Sequence, residues 1–184
     1  MQVAVPMPTL VERANPSTPF LVIESQSGFY ACRTSTATMR RKRGSTSRRV
    51  VFGAPDYFAR HGRPRHPDDL QRHACILRTV DRHPNQWTFQ INGRTRSVPV
   101  SGSFRADTMT AIYSAVTLEL GLGFSPLWQI RHLLDAGQVE LALTSYELPP
   151  VPVHIVWSSG RSPLAKTRLF KEYLLEQWPQ MGVE

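Results

Sequence analysis

The sequence is poor in the features that mark secreted, disulfide-bonded or membrane proteins. Its two cysteines, Cys32 and Cys75, are too few for a disulfide framework in 184 residues, and neither belongs to a Cys-x-x-Cys pair. No uninterrupted apolar run approaches the ~20 residues of a membrane-spanning helix, and the N-terminus lacks the basic segment of an export signal. We therefore expect a cytoplasmic protein without a membrane partner.

Motifs for catalysis and cofactor binding are also missing. No Gly-x-Ser-x-Gly motif and no paired carboxylates suggest hydrolysis, and Gly121-x-Gly123 lacks the third glycine of a dinucleotide loop. The six histidines fit no established metal-ligand spacing. The sequence therefore predicts no catalytic residue, no metal and no cofactor, and we expect a protein that is not an enzyme.

The positive charge is concentrated at the start of the chain. Of the net charge of +8, residues 1–49 contribute +6, from eight Lys and Arg against Glu12 and Glu24. The densest run is Met39-Arg-Arg-Lys-Arg43, which is read either as an arm that binds nucleic-acid phosphates or as a solvated basic linker. We expect residues 1–47, rich in Ser, Thr, Arg and Pro, to be poorly ordered.

The stretch from Val98 to Trp128 predicts a strand, a helix, a strand and a second helix. Asp107 or Thr108 can cap the first helix, whose apolar positions recur at intervals of three and four residues up to Leu120. Gly121 is a helix stop, and Pro126 suits the start of the next helix. This alternation indicates an α/β fold.

The same pattern continues on both sides of that stretch. A hairpin is predicted around Asn92-Gly93, because Asn-Gly between alternating apolar residues favours a two-residue turn. The other predicted elements are a strand at Phe20–Glu24, a second at Gly28–Cys32, a strand at Val50–Ala54, short helices at Pro55–His61 and Pro67–His73, a strand at Cys75–Arg78, a strand at Val151–Trp157, and a final helix from Pro163 that buries Leu169, Phe170, Tyr173, Leu174 and Trp178.

Several motifs, in this order and spacing, resemble the effector-binding domain of LysR-type transcriptional regulators. The resemblance covers roughly Gly44 to Trp178. Its motifs are Arg49-Val-Val-Phe-Gly-Ala-Pro55-x-Tyr57-Phe-Ala-Arg-His61-Gly62-Arg-Pro64, Pro67-x-Asp-Leu70-x-x-His73-x-Cys75, Trp87-x-Phe89, Val98-Pro-Val-x-Gly102 and Gly121-Leu-Gly123-x-x-Pro126.

The resemblance implies a periplasmic-binding-protein-like (type 2) fold with two α/β lobes and a small effector held between them. Residues 48–150 would form a complete second lobe, residues 151–178 the crossing strand and last helix of a partial first lobe, and residues 179–184 a tail. Residues 1–43 do not resemble the expected lobe segment, so we expect a chain truncated or frameshifted upstream. The helix-turn-helix DNA reader and the dimerising helix of intact relatives would then be missing, which leaves no basis for expecting their homo-oligomers or their DNA binding here.

The expected effector site lies at the start of the helix after Val98. Free N–H groups and the helix dipole suit a carboxylate there, and the resemblance carries Ala106, Asp107 and Thr108 over as effector-binding residues. Ser125 is a further candidate, and Trp157 on the crossing strand could border the cleft. The alternative is that Asp107 only caps its own helix. Because its charge opposes an anion, a neutral or cationic effector stays open.

A second function is a free-standing small-molecule binding module without DNA-binding activity. In that arrangement Phe20–Glu24 would replace a missing strand of the first lobe and pair beside Val151–Trp157. Stabilisation by a metabolite would support it.

Overall fold

A computed structural model of the chain describes residues 21–24, residues 39–158 and four helical positions near the C-terminus, Leu169, Glu172, Tyr173 and Glu176. The chain divides into two compact units. The central unit is Arg48–Pro150, and the terminal unit combines Met1–Ser47 with Val151–Glu184. The described strands are β1 (Leu21–Glu24), β2 (Met39–Ser47), β3 (Arg49–Gly53), β4 (Leu77–Arg78), β5 (Gln86–Ile91), β6 (Arg94–Pro99), β7 (Arg105–Ala106), β8 (Gly123–Pro126), β9 (Glu140–Ala142) and β10 (Val151–Ser158).

The terminal unit contains a three-stranded sheet in the order β1-β10-β2, antiparallel throughout. The basic run Met39–Arg43 lies in β2, so the expectation of a poorly ordered basic linker is wrong for residues 39–47. Pairing of β2 along β10, from Ser47 opposite Val151 to Met39 opposite Ser158, supplies the backbone hydrogen bonds that outweigh the low strand propensity of this sequence.

Strand β1 pairs with the other side of β10, from Leu21 opposite Val156 to Glu24 opposite Val153. The strand pairing expected for the free-standing module is therefore present. The strand predicted at Gly28–Cys32 lies outside the described residues. In the last helix, Leu169 is 61% exposed and Tyr173 is 58% exposed, so the prediction that they are buried is wrong.

The central unit combines antiparallel and parallel strand pairs. Strand β3 lies between β8 and β9 and is antiparallel to both, whereas β4 pairs with β7 in parallel. A parallel bridge between Cys75 and Leu122, with the Ile76 N–H donating to the Leu122 carbonyl at 2.8 Å, links the start of β4 to the start of β8. Strands β4, β7 and β8 thus run in one direction and end at the same edge.

Helices cover this sheet and follow its strands directly. Helix α1 (Pro55–His61) follows β3, α2 (Met109–Thr117) follows β7, and α3 (Leu127–Asp135) follows β8. The alternation of β3 buries both of its faces: Val50 and Phe52 pack with α2 and α3, while Val51 packs in the cluster that contains Trp87 and Phe89 of the hairpin. From α2 onward the order predicted up to Trp128, helix, strand and helix, is confirmed, but the strand that directly precedes α2 is β7 and not the one predicted at Val98, which belongs to β6.

Two local predictions are corrected by the backbone. Helix α2 ends at Thr117, and Glu119 takes the left-handed conformation (φ 63°) that was expected at Gly121. Leu120 consequently lies beyond the helix and is 48% exposed rather than on its apolar stripe. The segment Pro67–Arg72 is a 3₁₀ helix rather than an α-helix. Its N-terminus has a capping box, in which His66 and Asp69 each bond the other's backbone.

The hairpin prediction is confirmed in register as well as in position. Strands β5 and β6 pair from Gln86 opposite Pro99 to Ile91 opposite Arg94. Asn92 (φ 51°) and Gly93 (φ 73°) both adopt left-handed backbone angles, as a two-residue type I′ turn requires.

A buried histidine links the 3₁₀ helix to α1. The Tyr57 hydroxyl lies 3.3 Å from His73 Nδ1 and accepts a hydrogen bond from the Ala74 N–H at 3.1 Å. His73 is the C-cap residue of the 3₁₀ helix, where its backbone N–H donates to the Leu70 carbonyl at 3.2 Å, and its side chain bonds the Tyr57 phenol. Burial is the main cause that lowers the pKa of His73 from 6.5, aided by the nearby His61 and Arg72, while Asp69 acts in the opposite direction.

We expect the free energy of unfolding to decrease as the pH is lowered through the mildly acidic range, because His73 becomes protonated on unfolding. A lowered folded-state pKa means that the unfolded chain binds the proton more tightly, so the free energy of unfolding decreases below the ordinary value of 6.5 and levels off above it. Urea unfolding from about pH 5 to about pH 7.5 measures this slope. His73→Gln should flatten it, and the exposed control His83→Gln should not. An unchanged slope in His73→Gln would exclude His73 as its source.

Candidate functional site

The candidate site lies at the edge where the parallel strands of the central unit end. Strand β4 ends at Arg78, β7 at Ala106 and β8 at Pro126, and helices α2 and α3 begin at the same edge. In open α/β sheets, ligands bind outside the carboxyl ends of strands, where helix N-termini present unpaired N–H groups. We call these strand ends, with the first turns of α2 and α3, the carboxyl edge.

Three predicted site residues form one continuous segment of the carboxyl edge. Ala106 is paired with Arg78, and its carbonyl accepts a hydrogen bond from the Thr79 N–H at 2.9 Å. Thr108 is the N-cap of α2, and its Oγ1 accepts from the Ala111 N–H at 3.4 Å. The cap is therefore Thr108 and not Asp107. Asp107 is exposed beside it, and the Thr108 hydroxyl proton is not used in the cap.

Ser125 lies on β8 opposite Val50 and is completely buried. Its Oγ lies beside the Tyr113 hydroxyl, and no other hydrogen-bond partner for it is found among the described residues. The neighbouring Tyr113 hydroxyl on α2 donates instead to Gln129 Oε1 of α3, at 2.8 Å. Burial raises the pKa of Tyr113, and a hydrogen bond with the Ser125 side chain and the positive charge of Arg78 act against that rise. Ser125 and Tyr113 are therefore neighbours at the carboxyl edge.

Two arginines share one carboxylate beside this serine. Arg78 Nη1 lies 3.1 Å from Asp81 Oδ1, and Arg49 Nη2 lies 3.7 Å from Asp81 Oδ2. The Arg49 guanidinium also lies 4.5 Å from the centre of the Phe124 ring. The Arg78 Nε is buried without a partner among the described residues. Sequence reasoning missed these arginines. The signal for Arg78 was its place as the last residue of a predicted buried strand.

The remaining predicted site residue belongs to the terminal unit. Trp157 lies on β10, opposite Arg40 of β2. Its role in effector binding stays a prediction. Among the described residues, no group of three or more His, Cys, Asp or Glu side chains is placed to hold a metal ion. Within the same part of the chain, no helix has the length and apolar character needed to cross a bilayer.

An α/β domain of two units, with unpaired donors where its parallel strands end, has the organisation of a ligand-binding domain. Residues 29–179 match the family model described as the LysR substrate binding domain, and the chain belongs to that family. The family consists of transcriptional regulators rather than enzymes, and its substrate-binding domain has the periplasmic-binding-protein-like type 2 fold. The match begins at residue 29 and includes all of β2, so the expectation that residues 1–43 do not resemble the family's domain is wrong for residues 29–43.

Sequence relatives agree with this membership. The chain is 30% identical over 125 residues to the uncharacterized HTH-type transcriptional regulator YcaN of Escherichia coli, covering 67% of this chain and 40% of YcaN. It is 31% identical over 139 residues to an HTH-type transcriptional regulator of Xanthomonas campestris, covering 73% of this chain and 40% of that protein. The chain thus spans under half the length of these relatives.

Solved regulatory domains share the fold. The regulatory domain of AphB from Vibrio vulnificus matches with a TM-score of 0.68 at 19% identity, covering 89% of this chain and 78% of that one. The regulatory domain of CrgA from Neisseria meningitidis, a LysR-type regulator, matches with a TM-score of 0.68 at 20% identity, covering 79% and 72%. These likenesses establish the fold of the chain as that of a LysR-type regulatory domain.

Proposed function

We propose that the central unit binds a small effector at the carboxyl edge, through Ala106, Asp107, Thr108 and Ser125. The observation that carries this assignment is Ser125, a completely buried hydroxyl beside the Tyr113 hydroxyl, at the position where the fold class binds ligands. A buried hydroxyl with unused hydrogen-bonding capacity costs stability, and a ligand at this edge would complete its hydrogen bonding.

Within the longer regulators, this domain senses the effector and a separate helix-turn-helix domain reads the DNA. We infer that the present 184 residues bind a cytoplasmic small molecule, catalyse no reaction, and contact DNA only through such a separate domain. A gel-shift titration of the chain against operator-sized DNA at rising salt tests the last point. We expect only weak binding that salt abolishes. Tight, sequence-dependent binding would contradict it.

The pairing of β1 with β10 favours a second candidate, a free-standing binding module. That module would use the same carboxyl edge for its ligand. The two functions differ in whether effector binding is passed on to a DNA-binding domain, so fusion to one separates them. An effector that changes DNA affinity of the fusion supports the regulator, and an effector that binds without changing it supports the module.

The binding proposal is tested by thermal stabilisation of the chain with neutral, anionic and cationic metabolites. A ligand at 100 times its dissociation constant adds about 2.7 kcal/mol to the free energy of unfolding, a shift of several degrees for a domain of this size. A panel of central metabolites that produces no shift at such concentrations would contradict the proposal.

Ser125→Ala should separate binding from folding. Removing this buried hydroxyl, whose near neighbour is the Tyr113 hydroxyl, should change the free energy of unfolding by no more than about 1 kcal/mol, while weakening the bound metabolite about tenfold through one lost hydrogen bond. Urea unfolding and calorimetry measure the two quantities. Leu118→Ala, at an exposed position just past the other end of α2, is the control and should change neither. Loss of stability in Ser125→Ala without loss of affinity would assign Ser125 a structural role.

A further inference from the structure

The Arg78 guanidinium is only partly used by the protein. Its Nη1 contacts Asp81 Oδ1 at 3.1 Å, whereas its Nε is buried and has no partner among the described residues. Nε and Nη2 form one side of the planar guanidinium, and this side is the one that receives a carboxylate through two parallel hydrogen bonds. The Arg78 side chain as a whole is 26% exposed, so a ligand can reach the guanidinium from its exposed part, while the Nε atom itself is buried.

The carboxylate that Arg78 contacts also lies near a second arginine, because Arg49 Nη2 lies 3.7 Å from Asp81 Oδ2. A carboxylate added beside Arg78 would therefore face guanidinium groups rather than acidic side chains. Asp107 is exposed, where water and salt screen its repulsion of an anion. The positive charge of Arg78 therefore offsets the repulsion that Asp107 would exert on an acidic effector.

We propose that the effector is a carboxylate and that Arg78 anchors it through Nε and Nη2. Asp81 is a positioning residue: by holding Nη1, it fixes the plane of the guanidinium with the Nε side turned away from itself. The Ser125 hydroxyl lies on β8, which the parallel Cys75–Leu122 bridge joins to β4, and supplies a further donor. This inference rests on the proposed effector site and names the class of its ligand.

Proton–nitrogen NMR of the arginine Nε–H groups in the full chain tests the anchor directly, without knowledge of the natural effector. Sodium propionate is the probe, with propionamide and sodium chloride at equal concentration and ionic strength as controls. The Arg78 signal is assigned by its loss in Arg78→Lys. We expect propionate to move it downfield in a saturable way and the controls to leave it in place. An Arg78 signal that does not move, or that moves equally with sodium chloride, would overturn the proposal.

Variants of Asp81 test its positioning role in the same experiment. Asp81→Ala should abolish the saturable shift of the Arg78 Nε–H signal, and Asp81→Asn, which retains an oxygen that accepts from Nη1, should restore it. An undiminished shift of the Arg78 Nε–H signal in Asp81→Ala would show that Asp81 does not position Arg78.

With a metabolite identified by thermal stabilisation, Arg78→Lys should lower affinity about tenfold or more, because an ammonium cannot reproduce the two-point contact. Arg82→Lys, an exposed arginine in the following loop, is the matched control and should bind as the unchanged protein does. A metabolite whose binding depends on Ser125 but not on Arg78 would overturn this inference and leave the proposed function intact. A panel without any ligand would instead overturn the proposed function.

Discussion

Replacing Gly102 with alanine is expected to lower the free energy of unfolding by at least about 3 kcal/mol, because the backbone leaves no room for a side chain. A Cβ at Gly102 would lie 1.9 Å from the carbonyl oxygen of Cys75 and 2.9 Å from its nitrogen. Both are backbone atoms of the segment that leads into β4, so either that segment or the one that contains Gly102 must move. That movement strains the hydrogen bond from the Cys75 N–H to the Ser101 carbonyl, 2.9 Å long.

The same substitution should damage the candidate site. The close approach at Gly102 leads into the parallel pairing of β4 with β7, which brings Arg78 beside Ala106. Urea unfolding measures the loss of stability, and metabolite binding by calorimetry measures the loss of the site. Ser103→Ala, at an exposed neighbouring position, is the control and should change the free energy of unfolding by less than about 0.5 kcal/mol. A Gly102→Ala variant as stable as this control would show that the two segments do not approach as described.

Phe52→Ala is expected to cost about 3–5 kcal/mol, the range for removing a large aromatic side chain from a core. Phe52 is completely buried near the centre of β3, and its ring packs edge-on against that of Tyr113 with centroids 6.1 Å apart. The atom nearest to a Cβ built on Gly123 is also in this ring, at 2.4 Å. Phe52 therefore fills the space between the sheet and α2, the helix that begins at the candidate site.

The cavity left by Phe52→Ala should be detected by urea unfolding as a lower midpoint with an unchanged dependence on denaturant. Leu118→Ala, at a position 70% exposed, is the control and should shift the midpoint little. An effect of Phe52→Ala below about 1 kcal/mol would contradict the packing of α2 against β3.

Local features of the sequence predicted much of the fold because their chemistry acts over a few residues. Asn92-Gly93 specifies its own turn, and Pro55 and Pro126 stand where helices begin. The strand β2 was not predictable in this way. Its basic residues have low strand propensity, and they form a strand because β10, more than a hundred positions further along, offers a partner.

Sequence reasoning located the candidate site mainly at the start of one helix, α2. The cap signal singled out Asp107 and Thr108, and the family resemblance added the adjacent Ala106. Arg49 and Asp81 meet only because β3 and the loop after β4 reach the same edge. A local sequence pattern cannot predict a contact between residues this far apart in the chain. The burial of Ser125 likewise depends on β8 lying between its neighbours in the sheet, which periodicity over four residues does not establish.

Mapping a bound metabolite onto the chain by amide NMR tests the central claim most directly. We expect saturable shifts of the backbone signals of Ala106, Asp107, Thr108 and Ser125, together with that of Arg78 at the end of β4. The contrasting location is the shallow surface groove lined by Asp56, Ala59, Arg60, Leu118 and Glu119, between α1 and the end of α2. Shifts confined to that groove, with the carboxyl edge unchanged, would contradict the account.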